Sequence, residues 1–199
     1  MRLLVLFILF PLLISIQGKS QSYRDSILLH RQQINEEFAN PETSILDRND
    51  LEAFSGLPFF SVDDRFRIKA KIALLPPADP FRMRTSDRRI RAYERYALAT
   101  FELDGRSYTL TLYQSLSNKF ETEEEESLFL PFTDETCGKE PYGGGKYLDL
   151  PVPNGDSLTI DFNLAYNPYC AYSDGYSCPI PPKENHLPVP IIAGVMYTK

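Results

Sequence analysis

The sequence predicts a mainly β protein, an antiparallel β-barrel or sandwich with an N-terminal amphipathic helix and an irregular Pro/Tyr-rich C-terminal segment. Charged and apolar residues alternate from Arg65 to Ile72, which is the pattern of a half-buried strand. Several short apolar runs follow, and turn residues separate them. A hydrophobic content of 43% and an aromatic content of 13% indicate a packed core rather than disorder.

The N-terminus has the features of a secretory signal peptide. An apolar run from Leu3 to Ile16 follows one basic residue, and small residues surround a cleavage point that we place after Ser20. A membrane anchor is disfavoured because the run is shorter than the roughly 20 apolar residues that a bilayer requires. The sequence therefore predicts a signal peptide over 1–20, one β-rich domain over 21–199, and export to the periplasm or the cell exterior.

The charge balance limits the classes of partner. The chain has 21 basic and 27 acidic residues and a formal net charge of −6, and the predicted signal peptide carries none of the acidic ones. A net acidic protein has no general attraction to nucleic acid or to anionic lipid. We therefore expect no nucleic-acid partner, and no membrane span in the mature chain.

The spacing of apolar residues predicts two helices in the N-terminal part of the chain. An amphipathic helix is expected from Ser22 to Asn40, with His30 on its packed face and Arg31 among the polar residues elsewhere. Pro41 ends it, and a second short helix is expected from Asp50 to Phe54.

Strands are predicted beyond these helices. Asp104-Gly105 predicts a hairpin turn, and the acidic run from Glu121 to Glu126 predicts a loop. The expected strands are, in order, Arg65–Ile72, Phe81–Thr85, Ala92–Leu103, Tyr108–Gln114, Ser127–Phe132, Lys146–Leu150, Leu158–Phe162 and Pro190–Ala193.

The C-terminal third carries a resemblance to a known family. The residues involved include Ser127–Asp134, Gly144–Leu150, Ile160–Asn163, Ala165–Pro168 and Cys178–Pro182. In these residues the chain resembles the bacterial family catalogued as domain of unknown function 1684, and upstream matches extend the resemblance over nearly the whole mature chain. It implies a family but neither a reaction nor a ligand.

Three cysteines raise a question of pairing. Cys170 and Cys178 close a short loop, and export would place them where disulfides persist, so we favour a disulfide that leaves Cys137 over. Two alternatives stay open, namely free thiols and a metal site that adds His186 and a neighbouring carboxylate. Because the disulfide is favoured, we expect no metal and no cofactor.

Three carboxylates are candidates for catalysis. Asp149, Asp161 and Glu184 lie in or near the family-like block, and a pair of them could act as general acid and base in the manner of a glycosidase. In the other interpretation, which we favour, such carboxylates accept hydrogen bonds that hold the surrounding turns.

Tyrosine and asparagine are concentrated in the same block. Tyrosine rings can stack on sugars or line a small-ligand cleft, and asparagine amides supply both donors and acceptors. The residues expected to converge on one ligand-binding patch are Asp161, Asn163, Tyr166, Asn167, Tyr172 and Asn185. The alternative is that these side chains form the core of an irregular segment.

The sequence leaves two possible functions open, and they belong to different functional classes. The first is a non-catalytic extracytoplasmic module that binds an unidentified small molecule or glycan. The second is a hydrolase-like enzyme that uses the carboxylates of the C-terminal block. A Ser-His-Asp hydrolase is disfavoured because the chain has only 2 histidines and no Gly-x-Ser-x-Gly motif.

Overall fold

A computed structural model describes residues 12–116 and 127–197. The predicted acidic loop at Glu121–Glu126 lies outside these residues, and so does the first half of the predicted signal peptide. The helices are α1 (Leu12–Ala39) and α2 (Arg48–Ala53). The strands are β1 (Arg67–Leu74), β2 (Phe81–Arg84), β3 (Ile90–Leu103), β4 (Arg106–Ser115), β5 (Ser127–Asp134), β6 (Lys146–Pro151), β7 (Ser157–Asp161) and β8 (His186–Leu187).

The strands form one curled antiparallel sheet, a half-barrel, in the order β6-β5-β4-β3-β1-β7. Strand β2 pairs with β3, and β8 adds a short parallel pairing to β5. The predicted mainly β, antiparallel class is thus confirmed. Asp104 and Gly105 both have positive φ, 50° and 73°, which is the backbone of the tight hairpin turn predicted between β3 and β4.

The inner face of the curled sheet holds the hydrophobic core. In β1 the alternation read from the sequence is confirmed, because Ile68, Ala70 and Ile72 are buried between exposed neighbours. Leucines of β4, β5 and β6 fill the same core, and Phe162 and Ile191 close it from the C-terminal segment. Burial of these apolar side chains is the main source of stability for the half-barrel.

The outer face of β4, β5 and β6 is also covered. Tyr113 pairs with Phe129, and Phe129 pairs with Asp149, so these three side chains form one row across the sheet. Tyr147 is two residues from Asp149 on β6 and therefore shares its face. An irregular β3 register between Arg95 and Ala97 brings Tyr93 into the same aromatic layer.

Helix α1 is longer than predicted at its N-terminus. The predicted helix begins at Ser22, whereas α1 begins at Leu12 and continues through the expected cleavage point. Ile27, Arg31 and Phe38 are buried against the domain, so the assignment of Arg31 to the polar face was wrong. Among the described residues, no helix is both long and apolar enough to cross a bilayer.

The predicted strand at Pro190–Ala193 was wrong. This stretch makes no strand pairing, and Ile191 instead donates its N–H to the carboxylate of Asp134 at 3.1 Å. Lys146 Nζ lies 3.0 Å from Asp134 Oδ2 and donates to the Ile191 carbonyl at 3.0 Å. This fully buried ion pair ties β5 and β6 to the C-terminal segment, because both charges require these partners away from water.

Asn185 completes the sheet where β4 and β5 cannot pair fully. Pro131 of β5 has no N–H to donate across to β4. The Asn185 amide donates to the carbonyls of Thr111 at 2.9 Å and Pro131 at 2.8 Å, and its Oδ1 accepts from the Thr111 N–H at 2.8 Å. With no exposed surface, this side chain has the role of a missing strand residue.

We expect Asn185→Asp to destabilise the protein by at least about 3 kcal/mol, because the carboxylate cannot donate to either carbonyl and its charge is buried. Chemical denaturation would measure the loss. Asn154→Asp, the same substitution at an exposed turn, is the matched control and should change the free energy of unfolding by less than about 0.5 kcal/mol. Equal effects of the two substitutions would contradict the role assigned to Asn185.

Candidate functional site

A cavity of about 540 Å³ lies between the aromatic outer face of the sheet, the C-terminal segment and helix α1. Phe129, Tyr147 and Asp149 form its sheet wall. The C-terminal wall extends from Asn163 to Tyr169 and returns through Tyr172 and residues 176–179. Its remaining wall is one face of α1, with His30, Arg31, Ile34, Glu37 and Phe38.

Tyrosine packing shapes the sheet side of the cavity. Tyr147 and Tyr166 exchange two backbone hydrogen bonds, of 2.8 and 3.0 Å, which fix the C-terminal segment against β6. Their rings meet at 90° with centroids 5.8 Å apart, and the Phe129 ring lies 4.8 Å from that of Tyr147. Such edge-to-face contacts hold the rings in fixed orientations, so the wall is largely preformed.

Asp149 is the carboxylate of this aromatic wall. Water reaches it through the cavity, yet protein surrounds it, and this desolvation raises the pKa of the Asp149 carboxyl. The Tyr166 hydroxyl donates to Asp149 Oδ2 at 2.6 Å and partly opposes that rise. Burial raises the pKa of Tyr166 as well, so the phenol keeps its proton and remains the donor.

Arg31 is the buried cation of the helix wall. Its side chain donates to the Phe60 carbonyl at 2.8 Å and to the Asn163 carbonyl at 3.5 Å, and its guanidinium lies 4.7 Å from the centre of the Phe59 ring. The residue is only 8% exposed, and burial lowers its pKa. Within the described parts of the chain, its Nε has no hydrogen-bond partner.

Asn167 presents a second unsatisfied polar atom. Its Nδ2 donates to the Tyr172 hydroxyl at 3.0 Å and to the Met196 carbonyl at 3.2 Å. Its Oδ1 is buried and has no partner among residues 12–116 and 127–197. Tyr172 packs edge-on against Phe38 of α1, with ring centroids 5.2 Å apart, and also borders a smaller cavity of about 310 Å³.

The structure brings four of the six predicted ligand-binding residues to the large cavity, namely Asn163, Tyr166, Asn167 and Tyr172. Asp161 does not line it, because its carboxylate accepts from the Tyr23 hydroxyl at 2.8 Å and from the Asn163 N–H at 3.0 Å. Asn185 does not line it either and is occupied between β4 and β5.

The three predicted catalytic carboxylates have separate surroundings. Asp149 lines the cavity. Asp161 anchors Tyr23 of helix α1. Glu184 accepts from Tyr113 at 3.0 Å and from Arg95 at 3.2 Å. Asp161 and Glu184 therefore serve as hydrogen-bond acceptors for neighbouring elements, as the structural interpretation of these residues expects.

All three cysteines are free thiols, so the predicted disulfide is not formed in this structure. Cys170 and Cys178 are nevertheless neighbours, with the Cys170 N–H donating to Cys178 Sγ at 3.3 Å. His186 binds Thr133 and Glu135 instead of the thiols. Within the described residues, no group of three or more His, Cys, Asp or Glu side chains could hold a metal ion.

Sequence reasoning missed the contribution of α1 to the cavity. His30, Ile34 and Glu37 recur at helical spacing and share one face, but that pattern also describes ordinary packing against a core. A buried arginine on the same face would have been the distinguishing signal. Its burial depends on carbonyl acceptors 29 and 132 residues away in the sequence, at Phe60 and Asn163.

Comparison with known proteins agrees with this fold. No curated protein matches the chain. The solution NMR structure of the uncharacterized protein from gene locus rrnAC0354 of Haloarcula marismortui is 32% identical and has a TM-score of 0.69, covering 90% of this chain and 97% of that chain. A family model described as "Protein of unknown function (DUF1684)" matches residues 52–196, most of the chain. The restriction to bacteria stays a prediction, but this protein belongs to the DUF1684 family.

Proposed function

We propose that this protein is a non-catalytic binding module, and that its ligand, a small molecule or glycan, occupies the large cavity. The observation that carries the proposal is a pair of unpartnered buried atoms on residues of two cavity walls, Nε of Arg31 on the helix wall and Oδ1 of Asn167 on the C-terminal wall. Native proteins satisfy nearly all buried polar groups. A ligand that offers one acceptor and one donor would complete both if it displaced the side chains that now cover these two atoms.

Size and surface support the same function. Cavities of about 300–1,000 Å³ with apolar walls and a few convergent polar groups are typical of small-molecule sites, and a volume of about 540 Å³ lies in that range. Tyr147, Tyr166 and Tyr169 contribute ring surface on which a sugar or another compact molecule could stack.

Binding is favoured over hydrolysis by the carboxylates. A glycosidase needs two positioned carboxylates about 5–10 Å apart in one cleft. Among the described residues, Glu37 is the only carboxylate besides Asp149 that lines the cavity. Glu37 is an exposed residue of α1, and no hydrogen bond within the described chain holds its side chain, so it lacks the fixed geometry that catalysis requires.

We also propose that the protein is exported and that its signal peptide is cleaved after Ser20. The apolar N-terminal run supports this, and so do the contacts that dock α1. The first of these contacts is the hydrogen bond of Tyr23 to Asp161, and Arg24 donates to the Val62 carbonyl at 2.7 Å. Cleavage after Ser20 would leave these interactions in the mature chain.

Export would in turn favour oxidation of the neighbouring thiols Cys170 and Cys178. We include their disulfide in the proposal because the backbone already brings the two residues together. Cys137 lies apart, beside Asp134 in the turn that follows β5.

In a thermal-shift screen of neutral sugars, amines, carboxylates and nucleosides, we expect at least one class to raise the melting temperature, because a ligand that binds only the folded state stabilises it. Ile34→Trp should abolish this shift by filling the cavity from α1. Leu29→Trp, at a position of the same helix that is 57% exposed and outside the cavity, is the control. Equal shifts in both variants, or none in the parent protein, would contradict the binding function.

Export predicts that protein recovered from the producing cell begins at or near Gln21. Intact mass measurement of the periplasmic or culture fraction would show the mature N-terminus, because signal peptidase removes the preceding segment. An unprocessed Met1 in the cytoplasmic fraction would overturn this prediction. A Ser20→Pro variant provides the comparison, since proline next to the cut should leave the precursor uncleaved.

The thiols give a prediction of their own. Exported protein, unfolded without reductant, should show one titratable thiol, and prior reduction should raise the number to three, because Cys170 and Cys178 pair in an oxidising compartment. Peptide mapping would identify the linked pair. In Cys137→Ser the unreduced protein should have no titratable thiol. Three thiols without reduction would exclude the disulfide.

A further inference from the structure

Four charged side chains line the cavity, of which Glu37 and Arg91 are exposed. The other two, Arg31 and Asp149, lie on different walls, and neither has a counter-ion among the described residues. Asp149 belongs to β6, and its one hydrogen bond is to the neutral hydroxyl of Tyr166 at 2.6 Å. Arg31 belongs to α1, and its hydrogen bonds go to neutral backbone carbonyls. Arg31 is held away from bulk water, where charges are normally paired. Asp149 is reached by water, but the protein around it still disfavours its charged form.

The surroundings of Asp149 suit a cation. Tyr93, Tyr166 and Tyr169 line the same cavity as Asp149. Burial is the main cause that raises the pKa of each phenol, and the negative charge of Asp149 adds to it. Ring faces attract cations, and the attraction grows when water is excluded. A carboxylate among tyrosine rings is therefore suited to a protonated or quaternary amine.

The surroundings of Arg31 suit an acid group. Each terminal nitrogen of the guanidinium donates one of its two N–H groups to a carbonyl, and Nε has no partner among the described residues. The Asp161 carboxylate offsets some of the charge from a distance but is itself bound to Tyr23. A carboxylate or phosphate at the guanidinium would supply both an acceptor and the missing negative charge.

We propose that the cavity binds a small zwitterion, with its amine at Asp149 among the tyrosines and its acid group at the guanidinium of Arg31. This inference rests on the proposed binding function and names the class of ligand. A neutral sugar would leave both protein charges without a counter-ion. A simple cation would leave Arg31 unpaired, and a simple anion would leave Asp149 unpaired.

Four compounds of nearly equal shape test each charge separately. Glycine betaine carries both charges, choline only the positive one, 3,3-dimethylbutanoate only the negative one, and 3,3-dimethylbutanol neither. Calorimetric titration of the purified protein should give the tightest binding for the zwitterion, and removal of either charge should weaken it at least about tenfold. Amino acids from glycine to 5-aminopentanoate extend the set over a range of charge separations.

Asp149→Asn tests the cation end of the site without changing its shape. It should weaken binding of the best zwitterion at least about tenfold and change the affinity for 3,3-dimethylbutanoate less than about twofold, because only the amine has lost its partner. Asp156→Asn, an exposed carboxylate between β6 and β7 that lines neither cavity, should leave both affinities unchanged. If Asp149→Asn fails to fold, the comparison of the four compounds on the parent protein decides.

The outcomes separate the class of ligand from the binding function. If a neutral sugar or 3,3-dimethylbutanol binds as tightly as the best zwitterion, and Ile34→Trp removes that binding, the zwitterion is wrong and the binding function stands. Failure of every zwitterion to bind likewise overturns the ligand class. If no compound of either set binds, the proposed binding function is wrong as well.

Discussion

Pro131 in the middle of β5 imposes a constraint on the whole C-terminal third. A proline cannot donate to the neighbouring strand, so β4 and β5 need a donor from elsewhere, and the Asn185 amide supplies it. This interaction holds the C-terminal segment against the outer face of the sheet. The Tyr147–Tyr166 bridge and the buried Lys146–Asp134 pair hold other parts of the same segment. Of these attachments, the Tyr147–Tyr166 bridge joins the sheet wall of the cavity directly to its C-terminal wall.

The cavity therefore exists because both faces of the sheet are covered. Strands with one solvated face normally carry polar residues there, but the outer face of β4 to β6 carries Tyr113, Phe129 and Tyr147. The irregular chain that covers these rings cannot interdigitate with them as closely as a second sheet would. The space that remains is lined by aromatic rings and backbone, with charge at only a few positions.

Sequence reasoning succeeded where a local pattern has one meaning. Strict alternation gave β1, and Asp104-Gly105 gave the turn between β3 and β4, because both signals depend on adjacent residues alone. It failed at Pro190–Ala193, an apolar run with no neighbouring strand to pair with. Asn185, which the sequence predicts as a ligand contact, instead bonds Thr111 and Pro131. These partners are 74 and 54 residues away, so no local pattern reveals them. The composition of the block indicated an aromatic site, but not the helix that closes it.

The docking of α1 has a consequence for the order of folding. Its hydrogen bonds join Tyr23 to Asp161 and Arg31 to Asn163, at separations of 138 and 132 residues respectively. Contacts so distant along the chain carry a large loop-closure entropy and form late. Helix α1 would thus dock only after nearly all of the polypeptide has been made. A ligand in the cavity would then recognise only molecules whose folding is complete.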